Sequence, residues 1–384
     1  MYFCYVSDHT KSPIRVSFII PCLNEELSLP SVIQEIQSSY SKVNFDYEIV
    51  VADNGSTDNS PQIAREMGAR VVYVPEKGYG SALIAGINSA VGSYGVMGDA
   101  DGSYTFGDAL PMLDLLDKGY DLVIGNRFDG GIAQGAMPPL HKYLGNPVLS
   151  FLGKLFFRIP VNDFHCGLRA FNRNSILKLN LDSTGMEFAS EMIVSASQAR
   201  LQIIEVPVTL KKDLRNRPPH LKTWSDGWRH LKYLLSRTPG WTFLAPALFL
   251  FMGALMLLAL SISGPIERSG VGISYRTSII VGSLATLSAS FAWAFILGRE
   301  IIGKGFQKYP KKFLEGSIAC SALLIFAGFS LFISQFIEWQ ASGFSTQPLG
   351  RPLIQLISGG SLLSIGGISL SSTLILGLVR KNKK

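Results

Sequence analysis

Apolar residues in the first part of the chain occur in short blocks. Runs rich in β-branched residues alternate with longer stretches in which apolar residues recur every three or four positions. The short runs are RVSFIIP, DYEIVVAD, RVVYV, YGVMGDAD and YDLVIGN. This alternation predicts strands and helices in turn, and hence an α/β domain. Because the strands are apolar almost throughout, we expect a mostly parallel sheet that is buried on both faces.

The pattern changes after residue 240, where long apolar stretches carry no charged residue. They cover residues 242–263, 277–297, 317–337 and 353–379. About 20 helical residues cross the hydrocarbon of a bilayer, so each stretch predicts a transmembrane helix. We therefore expect three parts, which are an α/β domain over 1–210, a basic juxtamembrane segment over 211–240 and an all-α membrane domain over 241–384.

Composition and charge support this division. The chain of 384 residues is 47% hydrophobic, with a formal net charge of +7. Residues 211–237 hold eight Lys or Arg and two Asp, a net charge of +6, so nearly all the excess charge is there. The same segment contains Trp224 and Trp228, which favours anionic lipid over nucleic acid as its partner. We expect residues 224–236 to form an amphipathic helix that lies in the membrane interface, with Trp228, Leu231, Leu234 and Leu235 on one side.

Loop charges predict the orientation in the membrane. The loop over 298–316 and the final residues RKNKK are basic, and basic loops stay on the cytoplasmic side. The first residues, MYFCYVSDHTKSP, lack the features of a signal peptide. We expect an integral, multi-pass membrane protein, in the inner membrane if the cell is bacterial, with the α/β domain and the C-terminus in the cytoplasm.

Two aspartates, Asp99 and Asp101, follow the run VMG. Residues two apart in an extended strand point to the same side, so the two carboxylates would repel each other unless a cation lies between them. Carboxylates suit Mg²⁺ or Mn²⁺, which in turn bind diphosphate. A lone DxD also fits an ordinary turn. Three other polar clusters, CLNEE, DNGSTD and NRF, follow strands in the same way and would meet it at one edge of the sheet.

Six motifs in order carry a family resemblance: IIPCLNEE, VVADNGSTDNS, KGYGSALIAGI, DADGSYTF, VIGNRF and VNDFHCGLRAF. They resemble glycosyltransferase family 2, which has the GT-A nucleotide-sugar fold, and in particular the polyprenyl-phosphate glycosyltransferases that include dolichol-phosphate mannose synthases. The resemblance covers about residues 14–240. It implies a mostly parallel Rossmann-like sheet and a divalent cation, Mg²⁺ or Mn²⁺.

The resemblance also implies roles on the donor side. Pro21, Asn24 and Glu25 would line the base pocket, and Asp53 would contact the nucleoside. Asp99 would lie near the ribose and the metal, with Asp101 as the principal metal ligand. From the residues themselves, Lys77 adds positive charge near the donor phosphates beside Gly78 and Gly80, although KGYGSAL also fits a plain turn before a helix. The family usually has an aspartate where Asn54 stands.

On the acceptor side the resemblance makes Asp163 the catalytic base and turns Arg169 toward phosphate. Because a monoalkyl phosphate is already mostly dianionic at neutral pH, Asp163 is instead expected to orient the acceptor or relay a proton. The cations expected to offset repulsion between acceptor phosphate and leaving diphosphate are Arg127, Arg169, Arg217 and Lys222. We interpret His165 as a hydrogen-bonding loop residue.

The predicted function is inverting transfer of a hexose from a nucleotide sugar to polyprenyl phosphate, either undecaprenyl or dolichyl phosphate. Glucose from UDP-glucose is favoured, and mannose from GDP-mannose comes next. A processive polysaccharide synthase is an alternative, but its QxxRW motif is absent from the sequence. A nucleotide-sugar-binding membrane carrier or scaffold is the other alternative.

Two further features concern the membrane. The glycine-rich stretch SGGSLLSIGG favours helix contacts, including those of a homo-oligomer. Residues 140–158 are apolar enough either to dip beside the bilayer or to pack under the sheet, and the sequence favours neither.

Overall fold

The computed structural model describes residues 14–215, 223–262, 275–301, 311–343 and 351–381. The chain divides into two compact units, Met1–Leu234 and Leu235–Lys384. The strands of the first unit are β1 (Ile14–Cys22), β2 (Asp46–Asp53), β3 (Arg70–Tyr73), β4 (Tyr94–Met97), β5 (Leu122–Asn126), β6 (Arg169–Asn172) and β7 (Ile203–Pro207). Its helices are α1 (Leu29–Ser39), α2 (Ser60–Glu66), α3 (Tyr79–Ser89), α4 (Leu110–Asp117), α5 (Arg127–Gly130), α6 (Asn146–Phe157), α7 (Arg173–Leu177) and α8 (Phe188–Gln198), followed by α9 (Thr223–Ser236), which continues two residues into the second unit.

The strands form one sheet in the order β3-β2-β1-β4-β6-β5-β7. Strand β6 is antiparallel to β4 and β5, and the other neighbours are parallel. The mostly parallel GT-A-like sheet is thus confirmed, whereas the inserted antiparallel strand was not predicted. Because β6 runs the opposite way, its first residue, Arg169, lies beside Met97 and Ile124 near the ends of β4 and β5. Pro21, a predicted donor-binding residue, is buried in β1 opposite Ala52.

The core explains why the central strands are apolar throughout. Strand β1 is buried from Val16 onward, and its Phe18 ring contacts Tyr40 and Phe106 edge-on, with centroids 4.6 and 6.0 Å apart. Helix α3 packs on β1 and β2, and α4 packs on β5 and β6. The central strands therefore exclude water along their length, and polar side chains gather where these strands end.

Helix α9 differs from its predicted arrangement. Its inward side consists of Asp226, His230 and Leu234, which are all buried. Trp224 and Trp228 remain 80% and 61% exposed. The prediction that Leu234 lies on one side with Trp228 is therefore wrong, because helical geometry places the two side chains on different faces.

The second unit contains four long apolar helices within the described residues: α10 (Ala245–Ile262), α11 (Tyr275–Ile301), α12 (Lys311–Ala341) and α13 (Arg351–Lys381). Each overlaps a segment that is long and apolar enough to cross a membrane. These segments are Gly240–Leu257, which starts before α10, Ile279–Arg299, Glu315–Ala341 and Pro352–Leu376. Helix α10 packs on α11, while α13 packs on both α11 and α12. Small residues allow these approaches, since a Cβ on Gly366 would come within 2.8 Å of Ile325.

Candidate active site

The turn after β4 carries the two aspartates of the DxD motif. Gly102 has φ +75°, a backbone conformation that favours glycine, and the Asp101 Oδ1 atom accepts from the main-chain N–H of Ser103 at 2.9 Å. The hydroxyl of Tyr79 donates to Asp99 Oδ1 at 2.9 Å. Burial, and then the charge of Asp101, raises the pKa of Asp99 to about 6. Two shielded carboxylates therefore lie together at this edge, as the sequence predicted.

The loops after β1 and β2 are joined by hydrogen bonds. The main-chain N–H of Asn24 donates to Ser56 Oγ at 2.9 Å, and that of Glu25 donates to Ser60 Oγ at 2.8 Å. Asp53 Oδ1 accepts from the main-chain N–H of Ser56 at 3.1 Å. These bonds link the loop that holds Asn24 and Glu25, two of the predicted base-pocket residues, to the loop that follows Asp53.

Asn54, where the resembling family usually has an aspartate, organises the loop before α3. Its amide donates to the carbonyl of Glu76 at 2.7 Å and accepts from the main-chain N–H of Gly78 at 2.7 Å. Lys77 Nζ donates to the Asn54 carbonyl at 2.8 Å. Gly78 makes room for protein backbone, because a Cβ there would clash with the carbonyl of Thr184. An aspartate could not supply the amide donor, so the substitution has a structural reason.

Asp163 and Arg127 form a buried ion pair. Arg127 Nε and Nη2 donate to the two Asp163 carboxylate oxygens at 2.7 Å each, and Asp163 is completely buried. The main-chain N–H of Asp163 donates to Glu205 at 2.8 Å. The hydroxyl of Tyr104 accepts from Gly167 N–H at 2.9 Å, which joins the DxD side to this loop. Both oxygens of Asp163 are engaged, so the geometry suits positioning of Arg127 more than proton abstraction.

Arg169 is fully buried in the same loop region. Its guanidinium donates to the carbonyls of Cys166, Phe164 and Ala189 at 3.0, 2.9 and 2.9 Å. Burial lowers the pKa of Arg169 below its usual value. These bonds tie the loop before β6 to α8, so Arg169 has a structural role here, and its contact with phosphate stays a prediction.

The basic segment contributes a residue that the sequence did not single out. Arg217 and Lys222, predicted to hold the acceptor phosphate, lie outside the described residues. Arg215 is described, and its guanidinium pairs with Asp101 Oδ2 and, at 3.4 Å, with Glu25 Oε1. In the sequence Arg215 was visible only as one charge among eight.

His165 connects the Asp163 loop to α9. Its ring lies edge-on to that of His230, with centroids 4.5 Å apart, and His230 Nδ1 lies 2.8 Å from Ser190 Oγ. Within the described part of the chain neither ring nitrogen of His165 has a hydrogen-bond partner. Its predicted hydrogen-bonding role therefore falls to its main-chain N–H, which donates to Asp163 at 3.3 Å. Burial, then His230, keeps the pKa of His165 well below its usual value.

The carboxylates fit a divalent cation only if other ligands complete the shell. The described residues contain no group of three or more His, Cys, Asp or Glu that could hold a metal ion. Asp99 Oδ2 faces Gly167, where a Cβ would come within 2.7 Å, so the glycine leaves space beside this carboxylate. Mg²⁺ commonly takes one or two protein carboxylates together with phosphate oxygens and water. Asp99 and Asp101 match that donor set.

Comparison with known proteins identifies the family. Residues 17–179 match the family description "Glycosyl transferase family 2". The chain is 34% identical over 349 residues to the low-salt glycan biosynthesis hexosyltransferase Agl6 of Haloferax volcanii, covering 87% of this chain and 82% of that protein. The chain belongs to glycosyltransferase family 2.

The chain is also similar to two further proteins. The family 2 chain is 29% identical over 198 residues to a dolichyl-phosphate hexose transferase of Haloferax volcanii, which covers 51% of this chain and 83% of that protein. A crystal structure of glucosyl-3-phosphoglycerate synthase from Mycobacterium tuberculosis in complex with phosphoglyceric acid has a TM-score of 0.46 at 25% identity. It covers 59% of this chain and 80% of that chain. The predicted family and the glycosyltransferase class are confirmed by the family match and by the long match to Agl6.

Proposed function

We propose that this glycosyltransferase moves a hexose from a nucleotide sugar to polyprenyl phosphate at the cytoplasmic face of a membrane. The observation that carries the proposal is the pair of shielded carboxylates, Asp99 and Asp101, in a chain that also has four apolar helices of membrane-spanning length. The two Haloferax volcanii relatives, named as a hexosyltransferase and as a dolichyl-phosphate hexose transferase, support it. Glucose from UDP-glucose is our first choice of donor, and mannose from GDP-mannose the second.

The donor side would bind the nucleotide sugar at the ends of β1, β2 and β4. Asn24 and Glu25 lie on a loop that hydrogen bonds already hold, and Asp53 is the last residue of β2, so little ordering is needed on binding. Asp99 and Asp101 would hold Mg²⁺ or Mn²⁺. When bound, such a cation withdraws negative charge from the departing diphosphate.

In the proposed reaction a phosphate oxygen of the acceptor bonds to the anomeric carbon of the hexose. The bond from that carbon to the diphosphate oxygen breaks, and the nucleoside diphosphate leaves with the electron pair, so the anomeric configuration inverts. The acceptor needs no base, because a monoalkyl phosphate is mostly dianionic at neutral pH. Asp163 would instead hold the Arg127 guanidinium through two bonds of 2.7 Å, and Arg127 would offset the repulsion between the two phosphate groups.

Exposed apolar side chains favour a lipid surface next to the catalytic unit. Tyr143, in the π-helix His141–Gly145 that precedes α6, is 74% exposed, and Phe151 of α6 is 61% exposed. The other side of α6 packs on the domain, where Gly153 lies against Phe164. Of the two alternatives for residues 140–158, these exposures favour contact with the bilayer, together with Trp224 and Trp228 of α9.

A carrier or scaffold is the second candidate. A pathway for a polar sugar would be expected to place ionisable groups inside the membrane. The predicted spans 242–263, 277–297, 317–337 and 353–379 contain no charged residue. This composition favours anchoring and helix packing over transport.

The test is an assay of purified full-length protein in lipid nanodiscs. The protein is incubated with Mn²⁺, polyprenyl phosphate and either radiolabelled UDP-glucose or radiolabelled GDP-mannose, and the lipid extract is counted and chromatographed. We expect a single glycolipid bearing one hexose, lost in excess chelator. Release of label without any glycolipid, or formation of long chains, would contradict the proposal.

The matched variants are Asp101→Asn and Asp114→Asn. Asp114 is exposed on α4, away from the DxD turn, and its substitution removes the same charge. Glycolipid synthesis should fall at least about a hundredfold in Asp101→Asn, since several kcal/mol of charge stabilisation at the leaving diphosphate is lost. Asp114→Asn should keep normal turnover.

A further inference from the structure

Residues 211–215, which we call the strap, are hydrogen-bonded to the DxD turn. The main-chain N–H of Lys211 donates to the carbonyl of Ser103 at 2.8 Å, and that of Leu214 donates to the carbonyl of Asp101 at 2.9 Å. The Leu214 side chain lies against Gly102, where a Cβ would come within 2.7 Å of it. Backbone and side chain thus both fix the strap, so the next residue, Arg215, reaches the carboxylates from a defined position.

The guanidinium of Arg215 joins two loops of the donor side. One nitrogen, Nη2, pairs with Asp101 Oδ2 on the turn after β4, and Nη1 lies 3.4 Å from Glu25 Oε1 on the loop after β1. Asp213 lies 3.5 Å from Nη2. The side chains of Arg215, Asp101 and Glu25 are only 14%, 10% and 6% exposed, so water screens these pairs weakly.

A divalent cation bound at Asp101 would lie close to the guanidinium that already pairs with Oδ2, and two positive groups at one poorly solvated carboxylate repel each other strongly. A cation that enters must therefore displace Arg215. Displacing Arg215 breaks a shielded ion pair, and the free energy of breaking it weakens the binding of a metal ion that enters without a nucleotide. A nucleoside diphosphate supplies further oxygen ligands and negative charge near the released guanidinium, which offsets the cost.

We propose that Arg215 is a positioning residue of the donor site. Its guanidinium takes the place of a metal cation between Asp101 and Glu25 until the metal and the nucleoside diphosphate bind together. It keeps the carboxylates neutralised and correctly spaced, and it makes the binding of metal and nucleotide mutually dependent. The inference rests on the proposed function, since it assumes that these carboxylates serve a metal and a nucleotide.

The experiment measures Mn²⁺ binding, independently of turnover, by the electron paramagnetic resonance signal of free Mn²⁺. Full-length wild type, Arg215→Gln and Lys212→Gln are titrated with Mn²⁺ alone, and again with saturating UDP and, in parallel, saturating GDP. Lys212 is an exposed neighbour in the strap, and its substitution removes the same charge. Arg215→Gln should bind Mn²⁺ alone about fivefold or more tightly than wild type, because no ion pair must break.

The coupling gives a second readout. The ratio of Mn²⁺ affinities with and without the nucleotide should be smaller in Arg215→Gln than in wild type, while Lys212→Gln should keep the wild-type ratio. Arg215→Lys, which retains the charge but loses the forked geometry, should lie between the two and serves if the glutamine variant folds poorly. Circular dichroism reports the folding of each variant.

The proposal is overturned if neither Arg215 variant binds Mn²⁺ more tightly than wild type, if Lys212→Gln gains as much as Arg215→Gln, or if wild type binds no Mn²⁺ with either nucleotide. Glycolipid synthesis is scored separately with wild type. A wild type that binds Mn²⁺ as described but makes no glycolipid refutes the transferase proposal and leaves the role of Arg215 standing. If wild type makes glycolipid but the Arg215 variants bind Mn²⁺ with wild-type affinity, only the proposed role of Arg215 is refuted.

Discussion

Among single side chains, the aspartates of this site have very different surroundings. Asp163 accepts two charged hydrogen bonds from Arg127, whereas Asp99 accepts one from the Tyr79 hydroxyl and lies beside Asp101. One carboxylate is therefore paired with a cation, whereas burial and the neighbouring Asp101 raise the pKa of the other. The sequence placed both in the site, yet it could not show these differences, because they depend on partners far away in the chain.

Replacing Asp163 by Asn should harm both stability and turnover. The amide cannot neutralise Arg127, and loss of one partner of a buried pair lowers the free energy of unfolding by about 3–5 kcal/mol. A displaced guanidinium should also lower kcat about a hundredfold. Thermal unfolding and steady-state kinetics check this prediction, with Asp114→Asn as the control. Full turnover in Asp163→Asn would remove any role of Asp163 in catalysis.

Replacing Asp99 by Asn should stabilise the protein at pH 7. The pKa of Asp99 is about 6 in the folded chain and lower when unfolded, so the folded wild type binds more protons between these values and gains stability as the pH falls through them. Asp99→Asn has no proton to bind at this position, so its stability does not rise in this way as the pH falls.

The advantage of Asp99→Asn should therefore be largest at pH 7, shrink as the pH falls through 6 and level off near pH 4. Thermal melts in excess chelator at each pH measure it. An advantage that stays constant from pH 7 to pH 4 would contradict the raised pKa.

At the scale of helices and strands, the sequence predicts an element where its own run of apolar residues is long enough to show a periodic pattern. Strands β1, β2, β4 and β5 follow from short apolar runs that end in polar motifs. Strand β6, RAFN, is too short to show a period and is specified by pairing with β4 and β5, which no local signal reveals. No local signal reveals the ion pair of Arg215 with Asp101 either, because the two residues are more than a hundred positions apart in the chain.

The membrane helices allow a test with neighbouring glycines of α13. A Cβ on Gly366 would come within 2.8 Å of Ile325 and 3.0 Å of the Ser321 carbonyl on α12, whereas one on Gly367 would meet nothing within 4 Å. Gly366→Leu should therefore separate α12 from α13 and lower the melting temperature in detergent by several degrees. Gly367→Leu should leave it nearly unchanged. Equal effects of the two substitutions would rule out this packing.

For the whole molecule, the expectation is that the catalytic unit and the basic loop 298–316 share one side of the membrane. In a variant without the four native cysteines, Lys308→Cys should react with a membrane-impermeant maleimide only when the cytoplasmic face is accessible. Ser345→Cys, in the segment between the third and fourth spans, should react from the opposite side. Labelling of intact cells and of inverted vesicles distinguishes the two, and the reverse pattern would refute the orientation.

The antiparallel strand has a consequence for how such an enzyme can diversify. Because β6 begins opposite Ile124, near the end of β5, the polypeptide that leaves β5 returns to nearly the same point. The segment between β5 and β6, which includes α6 and Asp163, therefore has both of its ends held by the sheet. Lengthening a loop whose ends are fixed costs little entropy. Insertions or deletions between β5 and β6 can therefore change the segment that we propose contacts lipid, while the ends of β1, β2 and β4, where we propose that the nucleotide binds, stay intact.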